Sequence, residues 1–452
     1  MKRVVTAFAG NRLTARILRS ASWVMVGYGG AQVIRLASNL ILTRLLFPEA
    51  FGLMTLVTVV TVGLMMFSDV GIGPSISQSK RGDDPDFLNT AWTIQVMRGF
   101  ALWMVTLILA VPMARIYDEP LLTTYLPLAG VALVISGFMP TRIETAHRHL
   151  VFGRLTMLDL AAQAIGVLAM IVLALATRSV IALVLGSLIT VLVRLTLTSL
   201  FLPGAGNRFR LERAAVTEQL HYGKWIFLST AFGFVSAQGD KAVLGALVDL
   251  GTLGIYNIGY FLASFPVLLG GTLAAQLLIP IYRDRPPSES AANRARLRKM
   301  RMLMTGGIFG MLAVMALGGP WLVGFMYDAR YAPAGGMMVL IALAFLPQAI
   351  GLSYDRAALA AGDSRGAFVY SALRSSLQIV MLWAGFQIFG LVGALIAVGL
   401  ALLLSYPVLV RLARRHGAWD GLHDAVFAGL ALGLTALALW LHWADLTALQ
   451  SL

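Results

Sequence analysis

The chain has 452 residues, 58% of them hydrophobic and only 12% charged, with a mean hydropathy of +0.80. Soluble domains are nearer half apolar and a quarter charged, so this balance excludes an ordinary soluble domain and indicates an integral membrane protein. The absence of cysteine excludes disulfides and thiolate metal sites, and the net charge of +14 raises the question of a nucleic-acid partner, which the placement of the charges answers.

The first twenty residues carry Lys2, Arg3, Arg12, Arg16 and Arg19. They look like the basic start of a signal peptide, but the apolar run that follows is too long and lacks a clear cleavage site. Residues 1–21 therefore read as a retained basic cytoplasmic arm, either an interfacial helix or a disordered leader.

The segment from Ser22 to Leu46 is long enough to cross a bilayer as a helix. Tyr28, Gln32, Arg35, Asn39 and Thr43 recur at helical spacing and fall on one narrow stripe of it. A guanidinium at mid-span costs at least about 2.5–3.5 kcal/mol if it faces lipid, so Arg35 is expected to face protein or a watery cavity. Further spans are predicted at about 52–74, 90–113, 121–139, 155–176, 180–202, 223–247, 254–280, 302–325, 335–354, 367–388, 390–410 and 424–443. The total is about thirteen transmembrane helices, with no connection long enough to hold a soluble domain.

With the amino terminus inside, twenty-seven of the thirty-five lysines and arginines fall on inner loops or inner span ends and three on outer loops. This is a strong positive-inside signal and accounts for the basic balance. No basic module with interleaved aromatics is present, so no nucleic-acid partner is expected.

An internal repeat links the two halves. Ala50-Phe51-Gly52-Leu53 corresponds to Thr252-Leu253-Gly254-Ile255, Ile116-Tyr117-Asp118 to Met326-Tyr327-Asp328, and Phe152-Gly153-Arg154 to Ser364-Arg365-Gly366. Six spans separate the copies, so the halves share one topology and are expected to be related by a pseudo-two-fold along the membrane normal. The division reads 22–202 for an amino-terminal six-helix lobe, 203–220 for a cytoplasmic connector, 221–412 for a carboxyl-terminal six-helix lobe and 413–452 for an extra helix. Carrying the first stripe across the repeat puts Lys241 in the place of Asn39, so each lobe contributes one cation, Arg35 and Lys241, to a shared hydrated chamber.

Arg35 and Lys241 suit a phosphate, and Gln32, Asn39 and Tyr28 suit sugar hydroxyls. The bland alternatives are an ion pair of Arg35 with Asp240 or Asp69, interfacial snorkelling of Lys241, and interhelical hydrogen bonding by the amides. Asp240 is either a coupling-ion site or a counter-charge. Asp69 with Arg98, and Asp159 with Arg194, are expected to form structural ion pairs. The adjacent Gly270 and Gly271 suggest close packing of helices. No metal-ligand cluster and no nucleophile–base pair is visible, so neither a cofactor nor an enzyme is expected.

Three stretches carry a family resemblance: residues 42–52 (LTRLLFPEAFG), 67–78 (FSDVGIGPSISQ) and 148–155 (RHLVFGRL). They resemble the Wzx-type oligosaccharide flippases of bacterial polysaccharide export, within the multidrug/oligosaccharidyl-lipid/polysaccharide (MOP) exporter superfamily. That resemblance implies the MATE-like MOP fold, all-α, with two six-helix lobes around a central cavity. It also implies passage of an undecaprenyl-diphosphate-linked oligosaccharide from the inner to the outer leaflet of the bacterial cytoplasmic membrane by alternating access. The partners implied are that glycan, membrane lipids, and polysaccharide polymerase or export machinery. A lipid II flippase, a multidrug exporter of the same superfamily and a membrane polysaccharide polymerase or ligase are the alternatives.

Overall fold

A computed structural model describes residues 13–69, 71–284, 286–287 and 289–451. The first twelve residues of the expected basic arm lie outside the described residues. Among those described, the chain is built of helices and their connections, without strands. Among the described residues nine helices are long and apolar enough to cross a membrane, or ten if a bent pair is taken as one span, so the chain is a multi-pass membrane protein. Length and apolarity do not by themselves establish the expected thirteen.

The helices divide into two compact units, residues 1–46 with 56–234, and residues 47–55 with 235–452. In the first unit, α1 (Leu13–Leu45) is followed by α2 (Pro48–Phe67), a short α3 (Ile72–Gln78) and α4 (Pro85–Ile116). After these come α5 (Leu122–Gly137), α6 (Arg142–Arg148), α7 (Phe152–Thr177) and α8 (Ile181–Phe201). α5 and α6 form the bent pair, at 61°. α4 packs along α5, and α7 packs along both α1 and α8. Much of the apolar surface of α4, α7 and α8 remains exposed, which is stable only in lipid.

The connector after α8 is fastened to this unit. The backbone N–H groups of Arg208, Arg210 and Glu212 donate to the side chains of Asn89, Thr93 and Thr90 at 2.9, 3.0 and 3.0 Å. Arg210 also pairs with Asp86 at 2.8 Å. Just beyond, Ala215 opens α9 (Arg213–Gly245) and completes a buried cluster with Ile72, Ile76, Phe87 and Ala91.

The second unit holds the remaining helices. α10 (Leu250–Asp284) and α11 (Ala291–Met326) follow α9. Next come α12 (Pro333–Ala344), α13 (Leu346–Gly351), α14 (Tyr354–Ala360) and α15 (Ser364–Arg415). The 52 residues of α15 are two helices joined at Gly390, whose φ of 58° is left-handed. Gly385 and Gly393 then meet backbone to backbone, so the chain doubles back on itself. The break at Phe389 and Gly390 falls at the expected boundary between the spans 367–388 and 390–410. α16 (Gly421–Leu441) and α17 (Trp443–Ala448) end the chain.

The amino-terminal turns of α2 and α10 cross at Gly52 and Gly254, the glycines aligned in the expected repeat. An added methyl on Gly254 would lie 2.9 Å from the Pro48 carbonyl carbon and 3.0 Å from the Gly52 nitrogen. Only glycine permits two backbones to approach this closely. Of the glycine pair on α10, Gly270 is packed against Ile308 and Leu352, while a side chain on Gly271 would meet open space.

Candidate functional site

On α1 one side is taken up by α7. Gln163 Nε2 donates to the Ala31 carbonyl at 3.1 Å, and Gly27 and Gly30 admit Thr156 and Leu160 against the helix. Val26 and Val33 are exposed and lie on the side of the helix opposite Arg35. The apolar exposed face and the polar stripe are therefore segregated, as they must be if only the former meets lipid. Along the stripe, Gln32 and Asn39 are half-buried and Arg35 is exposed. The Tyr28 hydroxyl is buried without a hydrogen-bond partner among the described residues. Thr43 is buried, and its hydroxyl returns to the Asn39 carbonyl at 2.7 Å. Among the described residues Arg35 forms no ion pair.

In the second unit, Asp240 near the end of α9 is only 2% exposed. Tyr256 donates its hydroxyl to Asp240 Oδ2, whereas Oδ1 has no partner among the described residues. The neighbouring Lys241 sits with its ammonium 4.5 Å from the centroid of the Tyr260 ring. The Tyr260 ring face supplies part of the attraction that water would otherwise provide. Tyr256 and Tyr260 are one turn apart on α10, so a single helix face serves both the carboxylate and the ammonium.

α9 meets α15 where the hydroxyls of Ser236 and Ser375 lie 2.5 Å apart. Beside Ser375 stands Arg374, about ten residues inside its helix, with Nε buried and unpartnered among the described residues. Arg374, Tyr370, Asp355 and Gln348 line a small cavity of ≈ 20 Å³, room for about one water-sized group. The Asp355 Oδ1 atom is likewise buried without a hydrogen-bond partner, and its nearest cation is Arg356 at 3.5 Å. In sequence Arg374 falls among the twenty-seven inner lysines and arginines. Its signal was nonetheless present, because Tyr370, Arg374 and Gln378 recur every four residues, the same polar spacing that picks out α1.

Of the two expected ion pairs, Arg194 and Asp159 meet in a two-pronged contact, Nε to Oδ1 at 2.8 Å and Nη2 to Oδ2 at 3.4 Å. The expected pair of Asp69 and Arg98 is not formed. Arg98 donates to Ser68 Oγ at 2.9 Å and to the Met65 carbonyl at 2.7 Å. Asp69 instead accepts the Gly71 N–H at 2.8 Å, two residues along, steadying the left-handed turn at Gly71. Arg148, in the third family-like stretch, is structural. Its Nη1 reaches the carbonyls of Ile76, Ser77 and Ser79 at 2.9, 3.0 and 2.8 Å, and its Nε reaches Asp83 at 3.1 Å.

A second polar interior was not anticipated. Arg301 is 2% exposed, donates to the Tyr282 hydroxyl, and lies 4.7 Å from the Tyr354 ring centroid. Tyr354 in turn donates to Asp424 at 2.5 Å. The fully buried His423 is within 3.0 Å of Asp424 and of the Thr305 hydroxyl. At its edge Asp420 caps α16 and pairs with Arg298 at 2.5 Å. Burial pushes the Asp420 carboxyl up, but the Arg298 guanidinium and the His423 N–H outweigh it and hold the group below the usual carboxylate range. No single α16 residue reveals this network in sequence, because its members come from four separate helices. Among the described residues no group of three or more histidine or acidic side chains is placed to hold a metal.

Residues 41–335, more than half of the chain, match the model of a family described as polysaccharide biosynthesis protein. The chain belongs to this family. The chain is 21% identical over 417 residues to the lipopolysaccharide biosynthesis protein WzxC of Escherichia coli K12, covering 88% of this chain and 82% of WzxC. Over 274 residues it is 20% identical to an uncharacterized membrane protein of the cps region of Klebsiella pneumoniae, covering 59% and 56% of the two chains. Among solved structures, an inward-facing MATE multidrug-resistance transporter of the MOP superfamily superposes with a TM-score of 0.66 at 13% identity, over 85% of this chain and 94% of that one. The lipid II flippase MurJ in an inward closed state gives the same TM-score and identity, over 93% and 92%. This member of the family thus has the MOP fold.

Proposed function

We propose that this protein is a transporter that flips an undecaprenyl-diphosphate-linked oligosaccharide from the inner to the outer leaflet of the bacterial cytoplasmic membrane by alternating access, without covalent chemistry. The observation that carries the reading is that Arg35, Lys241 and Arg374 have no ion pair among the described residues; Arg374 lies on α15, which is long and apolar enough to cross a membrane, and Arg35 and Lys241 lie on helices expected from the sequence to cross one. Unpaired cations at membrane depth are costly unless they serve a pathway. A lipid-borne diphosphate needs such groups, since its charges cannot cross hydrocarbon bare, and arginine grips phosphate through two parallel hydrogen bonds. Family membership supports the glycan as the remainder of the cargo.

In this reading Arg35 and Lys241 hold the diphosphate, and Gln32, Asn39 and Tyr28 meet sugar hydroxyls. Asp240, half-satisfied by Tyr256, is the candidate coupling-ion site. The amino terminus faces the cytoplasm, in keeping with the inner excess of basic residues. Polysaccharide polymerase and export machinery are the partners that would receive the flipped product.

The test is flipping of a fluorescent undecaprenyl-diphosphate oligosaccharide in proteoliposomes, read with a quencher confined to the outside. Accelerated, protein-dependent quenching supports the proposal. Quenching at the rate of empty vesicles, with the protein correctly inserted, overturns it. Rescue of cells depleted of their own lipid II flippase would favour the peptidoglycan precursor as cargo instead.

A further inference from the structure

The doubled-back helix α15 brings its two ends together, and both ends are basic. Between them runs an open groove of ≈ 660 Å³ lined by Arg365 from the first turn and by Arg411 and Arg415 from the last turns. Asp363 lines it as well, but that carboxylate is already engaged. It accepts the Gly366 N–H at 2.8 Å, lies 3.0 Å from His416 Nε2, and is 3.5 Å from Arg415. Arg365 and Arg411 have no ion pair among the described residues, and all three arginines are exposed. The groove therefore carries a net positive charge with two guanidinium forks unclaimed.

Below the arginines the lining changes character. Val369, Val408 and Leu412 face the same groove, and Leu404, one turn deeper than Val408, is 57% exposed. Charged donors at the rim above an apolar track match a molecule with an anionic head and an acyl or prenyl tail. A free anion would have no use for the track.

We infer that this groove binds the phosphate group of a lipid, with Arg365, Arg411 and Arg415 on the phosphate and Val369, Val408 and Leu412 along the first carbons of the chain. Basic grooves between helices at a membrane edge are suited to such headgroups, and guanidinium forks match phosphate oxygens two at a time. The phosphate has two sources, a bulk anionic phospholipid or a polyprenyl diphosphate. The site does not rest on the transport proposal, since it is built within one helical hairpin.

The test is native mass spectrometry of the purified full-length protein with added phosphatidylglycerol, undecaprenyl diphosphate, phosphatidylethanolamine or inorganic phosphate. The wild type should retain phosphatidylglycerol or undecaprenyl diphosphate, and whichever is held more tightly names the source. The R365Q/R411Q/R415Q variant should hold that lipid about tenfold less, and R411Q alone about threefold less. Phosphatidylethanolamine should bind both proteins equally weakly. Equal retention by wild type and triple variant overturns the site, as does displacement of the lipid by millimolar inorganic phosphate. R411Q removes no ion pair, so its result stands even if the triple variant unfolds. Binding is read without transport, so failure here leaves the flipping assay untouched, and the reverse.

Discussion

The crossing of α2 and α10 gives the sharpest stability prediction. In Gly254→Ala the new methyl would press on the Pro48 carbonyl and the Gly52 nitrogen, both backbone atoms that cannot rotate away. An ordinary carbon contact needs about 3.5 Å or more, so one helix must retreat by roughly 1 Å. Overpacking of this kind costs about 1–3 kcal/mol. For a unit of this size the melting temperature should then fall by roughly 2–12 °C. Thermal unfolding in detergent, followed by tryptophan fluorescence, measures it. Gly271→Ala is the internal control, because it lies on the same helix facing open space. That change should be neutral or gain up to about 1 kcal/mol from helix propensity. A Gly254→Ala protein that melts within 1 °C or so of the wild type would refute the close-approach argument. So would an equal loss in the control.

Arg35→Ala and Lys241→Ala should each slow flipping about tenfold or more, the worth of one charge-assisted hydrogen bond, while leaving the melting curve in place. Normal rates in both would remove these residues from the pathway. Arg148→Ala strips the shared donor from the carbonyls of Ile76, Ser77 and Ser79 and should cost about 1–3 kcal/mol in a melt, with no selective effect on cargo. The Arg298–Asp420 contact should make stability fall in acid. The folded carboxyl is depressed, so its contribution is complete above the ordinary aspartate value near pH 4 and is lost as pH drops through the lower folded value. A pH series of melts should show that acid limb in the wild type and a flatter one in Arg298→Gln; identical limbs would count against the pair.

Patterns confined to one helix were the most legible in the sequence. The stripe on α1 is visible because its members recur along 16 residues of one segment. The break at Gly390 likewise falls where the sequence separates two apolar spans. Pairs that depend on side-chain direction were harder. Arg194 reaches Asp159, but Asp69 is taken by a backbone N–H two residues away, a competitor that no charge pattern discloses. Tyr256 and Tyr260 were passed over because tyrosines on an apolar helix give no sign of which polar group they will meet. The network around Arg301 was hidden for a similar reason: Tyr282, Tyr354 and the His423–Asp424 pair reach it from three other helices. The same holds for the groove at the ends of α15, whose basic residues stand about fifty positions apart.

The connector along α4 is gripped through its peptide groups, since the N–H donors of residues 208, 210 and 212 do the fastening. Side-chain identity at Arg208 is consequently irrelevant to whether the strap stays down. Substitutions there alter the local electric field without loosening the joint, whereas Asn89, Thr90 and Thr93, the receptors of the strap, have no such latitude. Mechanical attachment and charge are thus written in separate atoms of the same few residues, and each is open to change without the other.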